Sequence, residues 1–133
     1  MARFVILRHE LPAGSSRPSH WDLMFERAGT LRTWAVEREP DFSNPQSALA
    51  LADHRLDYLD YEGPVSGDRG SVTRWDRGEY TIVAESAGEW VVVLSGSRLV
   101  GRMTLARAPA DHSWRVSFAA APTSGGSTGS PPS

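Results

Sequence analysis

The stretch His20-Trp21-Asp22-Leu23-Met24-Phe25-Glu26-Arg27 decides how this chain is read. Successive side chains of an extended strand leave on opposite faces. His20 and Asp22 therefore share one face, and Trp21, Leu23 and Phe25 share the other. Upstream, the run Phe4-Val5-Ile6-Leu7-Arg8-His9 ends on a second histidine. Two ligands of the His20/Asp22 kind, joined by a histidine from an adjacent strand, make a metal site of two imidazoles and one carboxylate. Downstream, Asp53-His54-Arg55-Leu56-Asp57-Tyr58 brings in a third of the chain's 4 histidines.

Working outward from that strand, most of the chain reads as short extended segments. They cover residues 3–9, 20–27, 31–37, 59–63, 71–76, 80–84, 90–95, 98–107 and 114–119, with Gly and Ser between several of them. One helix is expected over 46–52. Ser43-Asn44-Pro45 offers a cap and a first-turn proline, and the following residues are rich in Ala and Leu. The fold class is mainly β: a small antiparallel β-barrel with one short helix. A barrel of about eight strands has its interior filled by side chains, which leaves room for a site at one mouth. One domain is expected over 1–120. Residues 121–133 (Gly, Ser, Thr and Pro, without charge) form an expected disordered tail.

At 133 residues the chain can build one core but not two. A formal net charge of −2 gives no global attraction to nucleic acid, so a polyanion must be held by local charge. All 14 cations are arginine, which makes every phosphate contact planar and two-pronged. The cysteine count of 0 excludes disulfides, thiolate zinc sites and cysteine nucleophiles. The first apolar run is too short for a signal peptide or a membrane span. The expectation is a cytoplasmic protein with no membrane partner.

Each motif has a structural alternative. His9, His20 and Asp22 either hold a divalent metal or are polar tips on a barrel rim. His54 and Tyr58, four apart at the expected helix end, either present an acid–base group and a phosphate donor or simply close a helix. In Trp75-Asp76-Arg77-Gly78, Arg77 is a candidate phosphate contact, while Asp76 and Gly78 read as a turn and Trp75 as core. Trp34, Trp90 and Trp114 read as core, and His112 as an exposed loop residue. His20 and Asp22 with a distant His54 also fit the facial triad of non-haem iron oxygenases.

Taken in order, these segments resemble the 3′-phosphoesterase domain of bacterial DNA ligase D. The most specific match is Asp53-His54-Arg55-Leu56-Asp57-Tyr58-Leu59-Asp60-Tyr61-Glu62-Gly63. Trp75-Asp76-Arg77-Gly78, Leu99-Val100-Gly101-Arg102, Leu105-Ala106-Arg107 and Trp114 follow collinearly. The resemblance spans about residues 3 to 118. It implies a small β-barrel and Mn²⁺-dependent trimming of DNA or primer-template 3′ ends, which removes a terminal ribonucleoside and then the 3′-phosphate. It implies His9, His20 and Asp22 as metal ligands, His54 as a further catalytic histidine, and Tyr58 near the scissile phosphate. Nucleic-acid 3′ ends are the implied partner, with a ligase or polymerase beside them. The chain departs from that family at several points. Met24 stands where an arginine is expected, and a second arginine is missing near Gln46 or Ser47. Residues 11–19 lengthen the gap between the first two histidines, residues 64–70 shorten a glycine-rich segment, and Phe118 replaces a final lysine. The chain thus resembles a short stand-alone branch, with Arg8, Arg55 and Arg69 as candidate replacements for the lost cations. The alternative is a catalytically weakened barrel that serves as a nucleic-acid-end or protein-interaction module.

Overall fold

The computed structural model describes residues 2–40, 44–110 and 113–121. Ser43, His112 and, beyond Ala121, the expected tail lie outside the described residues. Among the described residues nine strands follow in chain order: β1 Ala2–Glu10, β2 His20–Arg27, β3 Thr30–Val36, β4 Gln46–His54, β5 Gly63–Pro64, β6 Ser71–Ser86, β7 Glu89–Gly96, β8 Val100–Arg107 and β9 Trp114–Ala120. One 3-10 turn is found among the described residues, Leu56–Leu59, and it separates β4 from β5. Eight strands close on themselves in the order β1-β2-β3-β4-β9-β8-β7-β6, because β6 pairs back onto β1. All pairings are antiparallel, and the two-residue β5 rests against the start of β6. The fold is the expected barrel, and closure removes the sheet edges that an open sheet would expose.

Three local expectations are corrected. Residues 46–52 form most of β4 rather than a helix. Their Ala and Leu content favours a helix by only a few tenths of a kcal/mol per residue. Pairing with β3 on one side and β9 on the other closes the ring, and that outweighs local preference. Buried Gln46 fixes the start of β4 by donating to the Arg38 carbonyl and accepting from the Arg38 amide. Of the segment 59–63, only Gly63 is in a strand, as the first residue of β5; Leu59 ends the 3-10 turn and residues 60–62 connect the two. Finally, Trp75-Asp76-Arg77-Gly78 does not end a strand. It lies inside the 16-residue β6. Ile6 pairs with Asp76 and Leu7 with Arg74, so Trp75 is the extra residue of a bulge. Asp76 is buried and accepts backbone N–H bonds from Arg77, Ser97, Arg98 and Leu99, holding the β7–β8 connection against β6.

The barrel interior is apolar. Phe4 and Ile6 of β1, Leu23 and Phe25 of β2, Trp34 of β3, Trp90 and Val92 of β7, Met103 and Leu105 of β8 and Val116 of β9 fill it. The expected core tryptophans are core: Trp34 meets Trp90 at 6.1 Å and Trp114 at 5.2 Å between ring centroids. Arg32 lies over Trp34 and Trp90 at 4.7 and 4.9 Å. Each fully buried large side chain contributes about 1.5–3 kcal/mol.

A second, smaller layer covers the outside of the wall. Val5 and Leu7, Met24, Leu31 and Val72 point away from the interior and are roofed by Leu59, with Leu56, Tyr58 and Val65 against them. This is why Phe4-Val5-Ile6-Leu7 is buried on both faces. It also corrects the expected position of the site. The register pairs Leu7 with Asp22 and His9 with His20, so these groups continue the outer row of Val5, Leu7 and Met24. The site lies on the outer wall, not inside the barrel mouth.

Candidate metal centre and cleft

His9 stands near the end of β1, and His20 opens β2 directly opposite it. Asp22, two residues on, projects from the same face of β2. The ligand atoms of these three side chains lie within 4.8 Å of one another. His20 Nε2 is 3.2 Å from Asp22 Oδ1, and His9 Nδ1 is 3.6 Å from Asp22 Oδ2. His20 and Asp22 are each 3 % exposed.

The outward nitrogens are already engaged. His20 Nδ1 lies 3.1 Å from the Pro18 carbonyl, and His9 Nε2 lies 2.7 Å from the Arg69 carbonyl. A carbonyl oxygen only accepts, so each of those nitrogens carries its proton. In the neutral tautomers, the inward His20 Nε2 and His9 Nδ1 then present lone pairs to a carboxylate that also only accepts. Asp22 Oδ1 has no hydrogen-bond donor among the described residues. Three acceptors turned toward one point need a shared cation or protons between them. Backbone carbonyls that fix the tautomer of a histidine are the usual support of a metal-bound imidazole. The nitrogen, nitrogen and oxygen set suits a hard or borderline divalent ion. The residues present therefore fit such an ion.

The electrostatics agree. Burial pushes the Asp22 carboxyl up, but the His20 and His9 contacts outweigh it and bring its pKa down to about 2. His9 is raised above its ordinary value of 6.5, chiefly by Asp22, against the opposing effects of burial and of the nearby Arg17 charge.

The cluster opens on a cleft of about 420 Å³ lined by His9, His20, Asp22, His54, Arg17 and Arg69, among others. His54, at the end of β4, faces this cleft, and its Nδ1 donates to the Ala52 carbonyl at 3.0 Å. It stands outside the three-residue cluster. Among the described residues, the assembled set contains His9 rather than His54, so the iron-triad combination of His20, Asp22 and His54 is not the one brought together. Tyr58 sits in the 3-10 turn rather than at a helix end, with its ring 5.7 Å from that of His54. It lines an adjoining groove with Arg55, Tyr61 and Ser66.

The candidate arginines divide. Arg69 lines the cleft. Arg8 leaves the opposite face of β1, stacks over Trp21 at 5.0 Å and pairs with Glu10. Arg55 belongs to the Tyr58 groove. Arg77 pairs with Asp60 at 3.7 Å and lines a separate depression with Arg3 and Leu59. Met24 is 1 % exposed in the outer apolar layer and offers nothing to the cleft. The sequence reading missed Arg17. The signal that could have found it was the long 11–19 gap, which places an arginine three residues before His20.

Fold and site define a small closed β-barrel with a two-histidine, one-carboxylate cluster on its outer wall, beneath an arginine-bearing cleft. The family model of the DNA Ligase D 3′-phosphoesterase domain matches residues 12–107, and the chain belongs to that family. Arg17, His20, Asp22, His54, Tyr58 and Arg69 fall inside the matched span, and His9 precedes it. The chain is 33% identical over 117 residues to the multifunctional non-homologous end joining protein LigD of Pseudomonas aeruginosa, which covers 80% of this chain and 13% of that protein. It is 36% identical over 118 residues to the LigD protein of Mycobacterium bovis, covering 82% and 15%. With that of Mycolicibacterium smegmatis it shares 30% identity over 119 residues, covering 77% and 15%. The chain thus spans no more than about a seventh of the length of these relatives. No helix among the described residues is long and apolar enough to cross a membrane.

Proposed function

We propose that this chain is a metal-dependent phosphoesterase that trims nucleic-acid 3′ ends, with His9 Nδ1, His20 Nε2 and an Asp22 oxygen holding a divalent cation such as Mn²⁺. The observation that carries the reading is the inward convergence of two imidazole nitrogens, whose opposite nitrogens are already hydrogen-bonded, on a buried carboxylate oxygen that has no donor among the described residues. Bound there, the cation supplies Lewis-acid polarisation of a phosphoryl oxygen.

The chain's own groups divide the remaining work. His54 donates Nδ1–H to Ala52, which leaves Nε2 to accept or return a proton at the phosphate in the cleft. Tyr58, edge-on to His54, offers a hydroxyl in the adjoining groove, along which the nucleotide preceding the end would run. Arg69 offers charge from the cleft wall. The names of the relatives place them in non-homologous end joining, so the proposed setting is DNA repair, where ends are cleaned beside a ligase or polymerase. The proposed compartment is the cytoplasm.

The test is Mn²⁺-dependent release of phosphate from a 3′-phosphorylated primer-template, comparing the native chain with His20→Ala and His54→Ala. Loss of release in both variants, with the fold retained, is expected. Met24, buried and apolar where the resemblance leads one to expect an arginine, favours one second reading: a barrel that binds ends without trimming them. A folded, metal-loaded native chain that holds such ends yet releases no phosphate would establish that reading instead.

A further inference from the structure

The cleft has a feature that the cluster does not explain. Arg17 lies on its rim and makes no hydrogen bond or ion pair among the described residues; the side chains of Arg55, Arg102, Arg107 and Arg115 share that lack, but of these five only Arg17 lines the cleft, whereas Arg3, Arg8, Arg27, Arg74 and Arg77 each face an acidic partner. We propose that the 11–19 loop is an anion-holding element: Arg17, together with Arg69, binds the phosphate of a terminal phosphomonoester beside His9, His20 and Asp22. The inference deepens the phosphoesterase reading and rests on its cation.

The loop is built to hold its place. Ser15 donates both its amide and its hydroxyl to the Pro12 carbonyl, and Gly14, at φ +84°, takes the left-handed conformation of that turn. At the loop's base the Leu11 amide donates to Ser19 Oγ at 3.0 Å. The neighbouring Pro18 carbonyl accepts from His20. Arg17 is thus attached directly to the residue that orients a cluster histidine.

Arg69 has the same relation to the other histidine, since its own carbonyl accepts from His9. Its guanidinium is steadied by Ser66, through Nε to the carbonyl at 2.7 Å and Nη2 to the hydroxyl at 3.2 Å, and its other donors remain for a ligand. Gly70 docks this segment tightly, because a Cβ there would fall 1.8 Å from the Glu10 carbonyl oxygen. Ser16 adds a hydroxyl to the lining, while that of Ser15 is held by Pro12.

The charge balance selects the ligand. Arg17 and Arg69 cancel Asp22 and Asp68, so the lining is neutral until a divalent cation raises it to two positive charges. A phosphomonoester carries about −1.5 to −2 at neutral pH, and an internal diester carries −1. The planar forks of two arginines suit three terminal oxygens better than the two of a diester.

Fluorescence anisotropy with Mn²⁺ present tests this. A short single-stranded DNA ending in 3′-phosphate is compared with the same strand ending in 3′-hydroxyl, in a His54→Ala background that prevents turnover. Manganese binding is read separately by electron paramagnetic resonance. The parent should prefer the phosphate end by tenfold or more. Adding Arg17→Ala should remove most of that preference at unchanged manganese affinity, and Arg17→Lys should retain part of it. Three results overturn the proposal: no preference in the parent, a preference indifferent to Arg17, or manganese affinity lost with Arg17. A preference that vanishes with Arg17 while the native chain releases no phosphate would support the anion site and refute only the catalysis.

Discussion

Replacing Asp22 by Asn probes the cluster with almost no change of shape. In the metal-free protein the Asp22 pKa falls from 3.8 to about 2, because the two imidazoles favour its charged form. A depressed carboxylate stabilises the fold above its unfolded pKa, and this stabilisation is lost as the pH falls toward about 2. The shift is equivalent to about 2 kcal/mol at neutral pH, an upper figure for the cost of Asp22→Asn without metal. His9 runs the other way. Its raised pKa favours the fold below pH 6.5, and that contribution fades as the pH rises through the folded value. A proton on His9 Nδ1 competes with a cation for the same lone pair. Manganese at a hundredfold its dissociation constant would add about 2.7 kcal/mol, or about 10 °C in Tm for a domain of this size. The expected scan shows that increment in the native chain, shrinking as the pH drops below the His9 value, and absent in Asp22→Asn. An equal manganese increment in both proteins would falsify the assignment of Asp22 as a ligand. So would its absence from a folded native chain at pH 8.

Other perturbations reach different parts of the structure. Met24→Arg would bury a guanidinium among Val5, Leu7, Leu31 and Leu59; a loss of several kcal/mol in urea unfolding and no gain in phosphate release are expected. Native-like stability together with new activity would instead mean that the outer layer yields easily. Asp76→Ala would strip a buried acceptor from the Ser97, Arg98 and Leu99 amides, with an expected cost of about 3–5 kcal/mol by chemical denaturation. A cost below about 1 kcal/mol would show that water replaces it. Tyr80, pushed up to about 12 by burial, should be the late component of an ultraviolet pH titration and should disappear in Tyr80→Phe. Because the neutral phenol is favoured in the fold, stability should decline as the pH rises from 10 toward 12.

How much could be read in advance differs element by element. β2 was legible to the residue, because alternation over His20–Arg27 is a property of the chain alone. The pairing of His20 with Asp22 on one face followed from it. The helix expected at 46–52 failed because Ala and Leu state only a weak local preference, and the demand for a strand at that place comes from β3 and β9. Trp75-Asp76-Arg77-Gly78 carries turn-forming residues, yet Asp76 spends its carboxylate on amides some twenty residues away. No local pattern announces that partner.

Residue order by itself determined the strand-rich class, the family membership and the three side chains able to share a cation. These depend on composition, periodicity and collinear motifs, which survive without coordinates. Only the closed barrel decided where that chemistry sits. Filling the interior with Phe25, Trp34 and Trp90 forces the opposite row of β1 and β2 outward. There the 11–19 and 66–70 segments fold over it and set Arg17 and Arg69 beside the cluster, while Arg8 and Arg77 point elsewhere. Which face a strand buries, and which loop covers the other, depends on contacts far apart in sequence, so the cleft belongs to the tertiary structure.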